Sequence, residues 1–328
     1  MAQARALFAA IREQLDPPQS VRELILALEQ GECTGRQSAR GQWEVRAAAG
    51  YDDNVSQGIR STSLTLGSAA YSVELVVDDN YRPISSSFFE MAAERSWTLA
   101  DRFTLQVKAS GRHYQAVPAY DLANVNATLK ARGNALGRPI DWMAEWTELW
   151  MGGRHYHTAW AMAVQSPVLP DAPPGWNYAA MAQKVSYHTQ SQQNATQLQL
   201  GLNRQFQAGP GKAHLLGVMG TWDHAQGQRA GGGRVGVNLH AIAQLRLQPW
   251  LLTGRISMTH WSTRQDFLPG LVDARRRNLL LQANAQAAYP LSANQTLQFD
   301  FQLRDSRDTI ALYAYRSCSL GISWIARF

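Results

Sequence analysis

The chain ends in "SCSLGISWIARF", Ser317 to Phe328. Cys318, Leu320, Ile322, Trp324, Ala326 and Phe328 alternate with Ser319, Gly321, Ser323, Ile325 and Arg327. A period of two marks a strand with one apolar and one largely polar face. Such a strand, running to a terminal aromatic, fits the last strand of a closed barrel. Closure makes it pair with the first strand, because an open edge cannot face hydrocarbon.

The same rhythm recurs upstream. Trp43, Val45, Ala47, Ala49 and Tyr51 alternate with Glu44, Arg46, Ala48, Gly50 and Asp52. Leu297, Phe299, Phe301 and Leu303 alternate with Gln298, Asp300, Gln302 and Arg304. Segments of this kind fall near 42–55, 84–98, 101–114, 118–132, 139–151, 154–166, 176–187, 193–206, 210–223, 233–246, 249–262, 276–289, 294–306 and 313–328. They predict an all-β fold, an antiparallel transmembrane β-barrel of about 14 strands. The connections sort into short turns (99–102, 133–138, 207–212, 247–249, 290–294) on one side and longer loops (56–83, 224–232, 263–275, 305–312) on the other; 166–175 is long for the short side. Trp97, Trp142, Trp150, Trp176, Trp222, Trp250, Trp261 and Tyr289 lie near strand ends, where interfacial girdles sit.

Composition agrees with this class. Charged residues make up 17% of the 328 residues, against about 25% in soluble domains. Mean hydropathy is mildly negative, and no run approaches the roughly 18–20 apolar residues of a membrane-spanning helix. The net charge of +6 comes mostly from arginines spread along the chain, with one run at 275–277, and concentrates on no helix or loop, so nucleic acid is not an expected partner.

Before the strands, residues 1–33 read as a short α-helical segment. Leu7, Ala10, Ile11 and Leu15 give one apolar stripe, and Val21, Leu24, Ile25 and Leu28 a second after Asp16-Pro17-Pro18. The first stripe carries internal charges and does not read as a signal peptide. Residues 34–41 read as a linker and 42–328 as the barrel. Cys33 and Cys318 would then lie near opposite membrane faces, too far apart for a disulfide.

The polar strand face supplies candidate lumen-lining residues of both signs: Glu44, Arg46, Glu90, Glu94, Lys108, Arg112, Lys130, Arg132, Asp141, Glu145, Arg234, Arg246, Arg255, Asp300 and Arg304. Mixed signs argue against a simple anion channel. Asp52 and Asp53, with Asp78 and Asp79, offer carboxylates for a cation, but strand-end backbone capping is the favoured reading. His155 and His157 in "RHYHT" fall on one strand face, with no evident third metal ligand. "QAGPGKA" lacks the first glycine of a phosphate loop and has Ala213 after Lys212. Asn126, Asn194 and Asn294 match glycosylation sequons, patterns that recur by chance. Arg275-Arg276-Arg277 opens a strand on the loop side, where lipopolysaccharide phosphates are possible partners. There is no G-x-S-x-G motif, and neither an enzyme activity nor a cofactor or metal is expected.

Four stretches carry a resemblance: "LDPPQSVRELILALEQ" (15–30), "GYDDNVSQG" (50–58), "DDNYRPISSSFF" (78–89) and "RDTIALYAYRSCSLGISWIARF" (307–328). Together they resemble the surface lipoprotein assembly modifier family of Gram-negative outer membranes. Asp308-Thr309 stands where that pattern has Ser-Asn. The resemblance implies a fourteen-stranded outer-membrane barrel after tetratricopeptide-like periplasmic repeats, with both chain ends periplasmic. It implies movement of a lipoprotein or related protein substrate to the cell surface, without covalent chemistry. An exopolysaccharide export channel and a passive porin-like barrel are the alternatives. Expected partners are outer-membrane lipids and lipopolysaccharide, the protein substrate, and the outer-membrane insertion machinery, whose signal would be Leu320, Ile322, Trp324 and Phe328.

Overall fold

The computed structural model describes residues 41–328 except 60, 69–70, 101, 136, 169–174, 210 and 271; the helical segment expected over 1–33 and the linker up to residue 40 lie outside the described residues. Sixteen strands follow one another: β1 (Gln42–Asp52), β2 (Ser63–Ser68), β3 (Tyr71–Val76), β4 (Ser86–Ala100), β5 (Phe103–Tyr114), β6 (Leu122–Ala135), β7 (Arg138–Met151), β8 (Arg154–Pro167), β9 (Trp176–Tyr187), β10 (Ala195–Gln207), β11 (Lys212–Ala225), β12 (Arg234–Leu247), β13 (Trp250–Leu268), β14 (Val272–Pro290), β15 (Gln295–Asp308) and β16 (Tyr315–Arg327). Fourteen of them, β1 and β4–β16, form a closed antiparallel barrel in sequence order.

β1 closes on β16 in register from Glu44 opposite Arg327 to Asp52 opposite Ser319. The terminal residue takes part: Trp43 and Phe328 exchange backbone hydrogen bonds of 3.1 and 2.9 Å. The terminal strand pairs with the first, as the alternation requires.

Side chains sort by parity. Directly opposed residues of an antiparallel pair share a face, so the registers carry one assignment round the whole barrel. Outward come the large apolar groups left open to the surroundings, among them Trp160 (60% exposed), Met162 (63%), Ile256 (57%) and Leu320 (58%). Inward come amides, hydroxyls and charges. A soluble protein would bury so continuous an apolar surface. At the end where β1 starts and β16 finishes, Trp43, Trp97, Trp142, Trp176, Trp250, Tyr289 and Trp324 face outward. Arg95 lies 5.1 and 5.0 Å from the ring centres of Trp43 and Trp97, an arrangement that keeps a cation's stem on apolar surface.

The other end differs from the expectation in two ways. The 56–83 loop contains the β2–β3 hairpin. The connection expected at 263–275 is mostly strand, since β13 and β14 run to Leu268 and from Val272 with register shifts after Ser262. In that irregularity the Thr263 hydroxyl accepts the Arg276 N–H at 3.0 Å and donates to the Gln265 carbonyl at 2.8 Å. The β7–β8 connection is Gly152-Gly153, as the segments 139–151 and 154–166 require. Both have positive φ (54° and 75°), the conformation a two-residue hairpin needs and glycine adopts without strain.

Candidate functional site

Most of the polar side chains of the described strands converge on the inner wall. Register places all fifteen charged residues singled out from the sequence on it, and it decides which of them meet. Arg46 on β1 reaches over β16 to Asp300 on β15 at 2.8 Å. Asp300 also accepts from Gln298 at 2.7 Å, Gln286 at 3.0 Å and Ser323 at 3.3 Å. Arg112 holds Glu90 at 2.8 Å through Nε, Arg132 holds Asp141 at 2.8 Å, and Arg327 holds Glu44 at 2.8 Å. Glu94 accepts from the Gln106 amide and faces Lys108 across the pair; Lys130 donates to Gln106 at 3.4 Å. Glu145 accepts from Thr147 at 3.2 Å.

This pairing changes the meaning of a mixed-sign wall. Glu44, Glu90, Asp141 and Asp300 are each paired with an arginine, and Glu94 and Glu145 are not, whereas Arg234, Arg246, Arg255 and Arg304 have no carboxylate within ion-pair distance among the described residues. They descend from the loop-side end of β12 (Arg234) through β15 (Arg304) and β13 (Arg255) to the turn-side end of β12 (Arg246). Between Arg234 and Gln286 the inward positions of β12, β13 and β14 hold no acid; they carry Asn238, His240, Gln244, Ser257, Gln282 and Asn284 among others. The net result is a basic track with amide and hydroxyl neighbours.

At the loop-side mouth the basic groups are stacked on rings. Trp261 points inward, opposite Asn278 and Gly236, and so leaves the girdle in which its strand-end position suggested it belonged. Arg234 lies 4.3 Å and Arg276 4.8 Å from its ring centre, and Arg276 lies 3.4 Å from that of Tyr313. Arg276 also holds Asp308 at 2.8 Å. The middle arginine of the 275–277 triplet is therefore engaged inside, while Arg275 and Arg277 are exposed. Arg229, from the β11–β12 loop, folds onto Asp223; their side chains are 4% and 5% exposed. Neither partner stood out in the sequence, because the pair depends on where a loop folds.

The inner side of the seam is layered. A Cβ on Gly50 would meet the Leu320 carbonyl at 2.3 Å and the Phe88 ring at 2.4 Å, so only glycine lets Phe88 lie there. Phe88 packs edge-on to Tyr114, and Arg112 sits 4.2 Å above the Phe88 ring. At the seam's loop-side end, the Asp52 carboxylate accepts from the Asn54 backbone N–H at 2.9 Å and the Ser317 hydroxyl at 3.1 Å. Asp53 accepts from the Cys318 amide at 2.6 Å, and Asp79 pairs with Arg82 at 2.9 Å. The acidic pair of "GYDDNVSQG" thus ties β1 to β16.

The histidines of "RHYHT" do not share a face. A register shift sets Leu149 opposite His157 but Trp150 opposite His155, leaving Tyr156 as the extra residue. His157 turns inward beside Tyr187, whereas His155 stacks outside on Trp150 and His188.

No family model and no curated protein sequence matches the chain. Among solved structures it is similar to a bacterial polysaccharide outer membrane secretin, at 9% identity over 88% of this chain and 97% of that one (TM-score 0.45). It is similar to the Acinetobacter baumannii outer membrane protein Omp33, at 10% identity over 89% and 100% (TM-score 0.41). It is also similar to a Pseudomonas aeruginosa FadL homologue, at 8% identity over 88% and 89% (TM-score 0.41).

Proposed function

We propose that the protein spans a Gram-negative outer membrane and passes a hydrophilic, negatively charged chain, an acidic polysaccharide, through its lumen. The membrane reading rests on the barrel's own surface: an apolar outer wall, an aromatic ring at the turn-side end, and strands of 11 to 19 residues where about 9–11 suffice to span. In this placement the chain ends are periplasmic, the alternating terminal strand ending in Phe328 is read by the insertion machinery, and Arg275 and Arg277 face lipopolysaccharide.

The observation that carries the substrate class is the unpaired arginine track from Arg234 to Arg246. Arginines inside a low-dielectric wall lower the cost of admitting anions, and the adjacent amides and hydroxyls can exchange hydrogen bonds with sugar hydroxyls. A second reading, delivery of a lipoprotein to the surface, is supported by the residues of the family resemblance: 50–58 and 307–328 meet at the β1–β16 seam, through Asp53 and Cys318 and through Asn54 and Arg316.

In planar bilayers the wild-type barrel should prefer anions, and Arg255→Glu with Arg304→Glu should abolish or invert that preference. Unchanged selectivity removes the basis for an anionic substrate. In a deletion strain, loss of acidic surface polysaccharide with normal lipoprotein display supports the first reading. Loss of surface lipoprotein, with total lipoprotein unchanged, replaces it with the second.

A further inference from the structure

We propose that Glu148, His155 and His188 form a binding site for a divalent transition metal, zinc above all, on the outer rim of the loop-side mouth. The bulge at Tyr156 builds it. By turning His155 outward, the register shift sets that ring on the same face as Glu148 of β7 and beside His188, the residue after β9. One ligand atom from each of the three lies within 4.8 Å of the others.

The arrangement is organised for more than a hydrogen bond. Trp150, His155 and His188 form a three-ring stack with centroid separations of 5.3 and 3.9 Å, which sets the two imidazoles side by side. Glu148 is an outward carboxylate only 13% exposed, flanked along its strand by Trp146 and Trp150. A charge at that level needs a partner, and it touches the His155 Nε2 and the Thr158 hydroxyl, the latter at 3.0 Å. The same hydroxyl lies 3.0 Å from the His188 Nε2. Protons therefore hold together the atoms that a metal ion would hold in their place.

Two imidazole nitrogens and one carboxylate oxygen are a zinc ligand set that leaves a fourth position for water or the Thr158 hydroxyl. Ligands around tetrahedral zinc lie about 3.3 Å apart, and a small rotation of the exposed His188 ring closes the remaining distance. The ion would join β7, β8 and the β9–β10 loop, stapling three successive elements at the rim.

The test uses the full chain, purified in detergent without a polyhistidine tag, titrated with zinc by calorimetry and followed by thermal unfolding. Heat-modifiable gel migration shows that each variant is folded. One zinc per barrel and a raised unfolding temperature are expected. His155→Ala, His188→Ala and Glu148→Gln should each weaken binding by more than about tenfold, the scale on which even supporting residues act. His157→Ala, which alters the inner face, should bind as the wild type does. Absence of zinc uptake by the folded barrel, or uptake unaffected by His155→Ala and His188→Ala, overturns the proposal. Equal loss in His157→Ala also overturns it.

Discussion

Asn54 is 2% exposed and bonded on every side, which makes it the sharpest probe of how the barrel is locked at its seam. Its amide donates to the Gly58 carbonyl at 3.1 Å and to the Arg316 carbonyl at 2.8 Å. Its side-chain oxygen accepts from the Gly58 N–H at 2.7 Å and the Ser56 hydroxyl at 3.3 Å. These bonds cross a turn in which Gln57 has a φ of 51°, a left-handed value that costs a non-glycine residue about 1–2 kcal/mol. Asn54→Ala strands three backbone groups, each worth about 1–3 kcal/mol when buried without a partner. Water entering the small space left behind recovers part of that, so the expected loss is about 3–5 kcal/mol. Ser56→Ala, which removes the hydroxyl's contacts with Arg82, Ile84 and Asn54 at a site that is only part-buried and open to water, should cost about 1 kcal/mol. The assay is urea unfolding of the purified barrel in detergent, followed by tryptophan emission. If the clamp holds the turn, Gln57→Gly should recover part of the loss in the Asn54→Ala background. An Asn54→Ala barrel as stable as the Ser56→Ala barrel would refute the reasoning.

Two further outcomes follow from the same geometry. Asp223→Asn leaves the Arg229 guanidinium buried without a counter-charge, so it should destabilise the barrel by about 3–5 kcal/mol in the same urea assay, and Arg229→Met should cost less than Asp223→Asn. Joining the seam through Ala49→Cys and Ile322→Cys, with Cys33→Ser and Cys318→Ser to remove the two native cysteines, should leave anion conductance intact, because the lumen and not the seam is the proposed route; conductance that reappears only on reduction would show that β1 and β16 part.

The fold was legible because parity is a local property. From Trp43 to Tyr51 and from Cys318 to Phe328, each residue's face follows from its neighbour's, and fourteen such runs imply closure. What parity cannot carry is an interruption. The extra Tyr156 reverses the phase between His155 and His157, so two residues that read as neighbours on one face stand on opposite sides of the wall, and His155 acquires partners from elsewhere, Glu148 on β7 and His188 just after β9. Trp261 was misread for a related reason: proximity to a strand end suggested a girdle, but its phase is that of Thr259 and Ser257, which face inward. The ion pairs were invisible because they depend on register. Arg46 and Asp300 are separated by 254 positions in sequence, and nothing near either names the other.

That dependence on register also decides what kind of conduit the barrel makes. Acids and bases are both plentiful along the strands, and their sum suggests an indifferent wall. Register spends the acids locally: Asp300 on Arg46, Glu90 on Arg112, Glu44 on Arg327 and Asp308 on Arg276. Three of these four pairs lie at β1, β4–β5 or β15–β16, so they brace the closure while they consume negative charge. The opposite wall, with Ala159, Ala161, Ala163, Ala179 and Gly201 facing inward, carries no such braces and leaves room. A barrel whose seam is tied by charge, and whose inward Arg234, Arg304, Arg255 and Arg246 stand outside ion pairs, fits the proposed passage of anions along its axis and not through its edge.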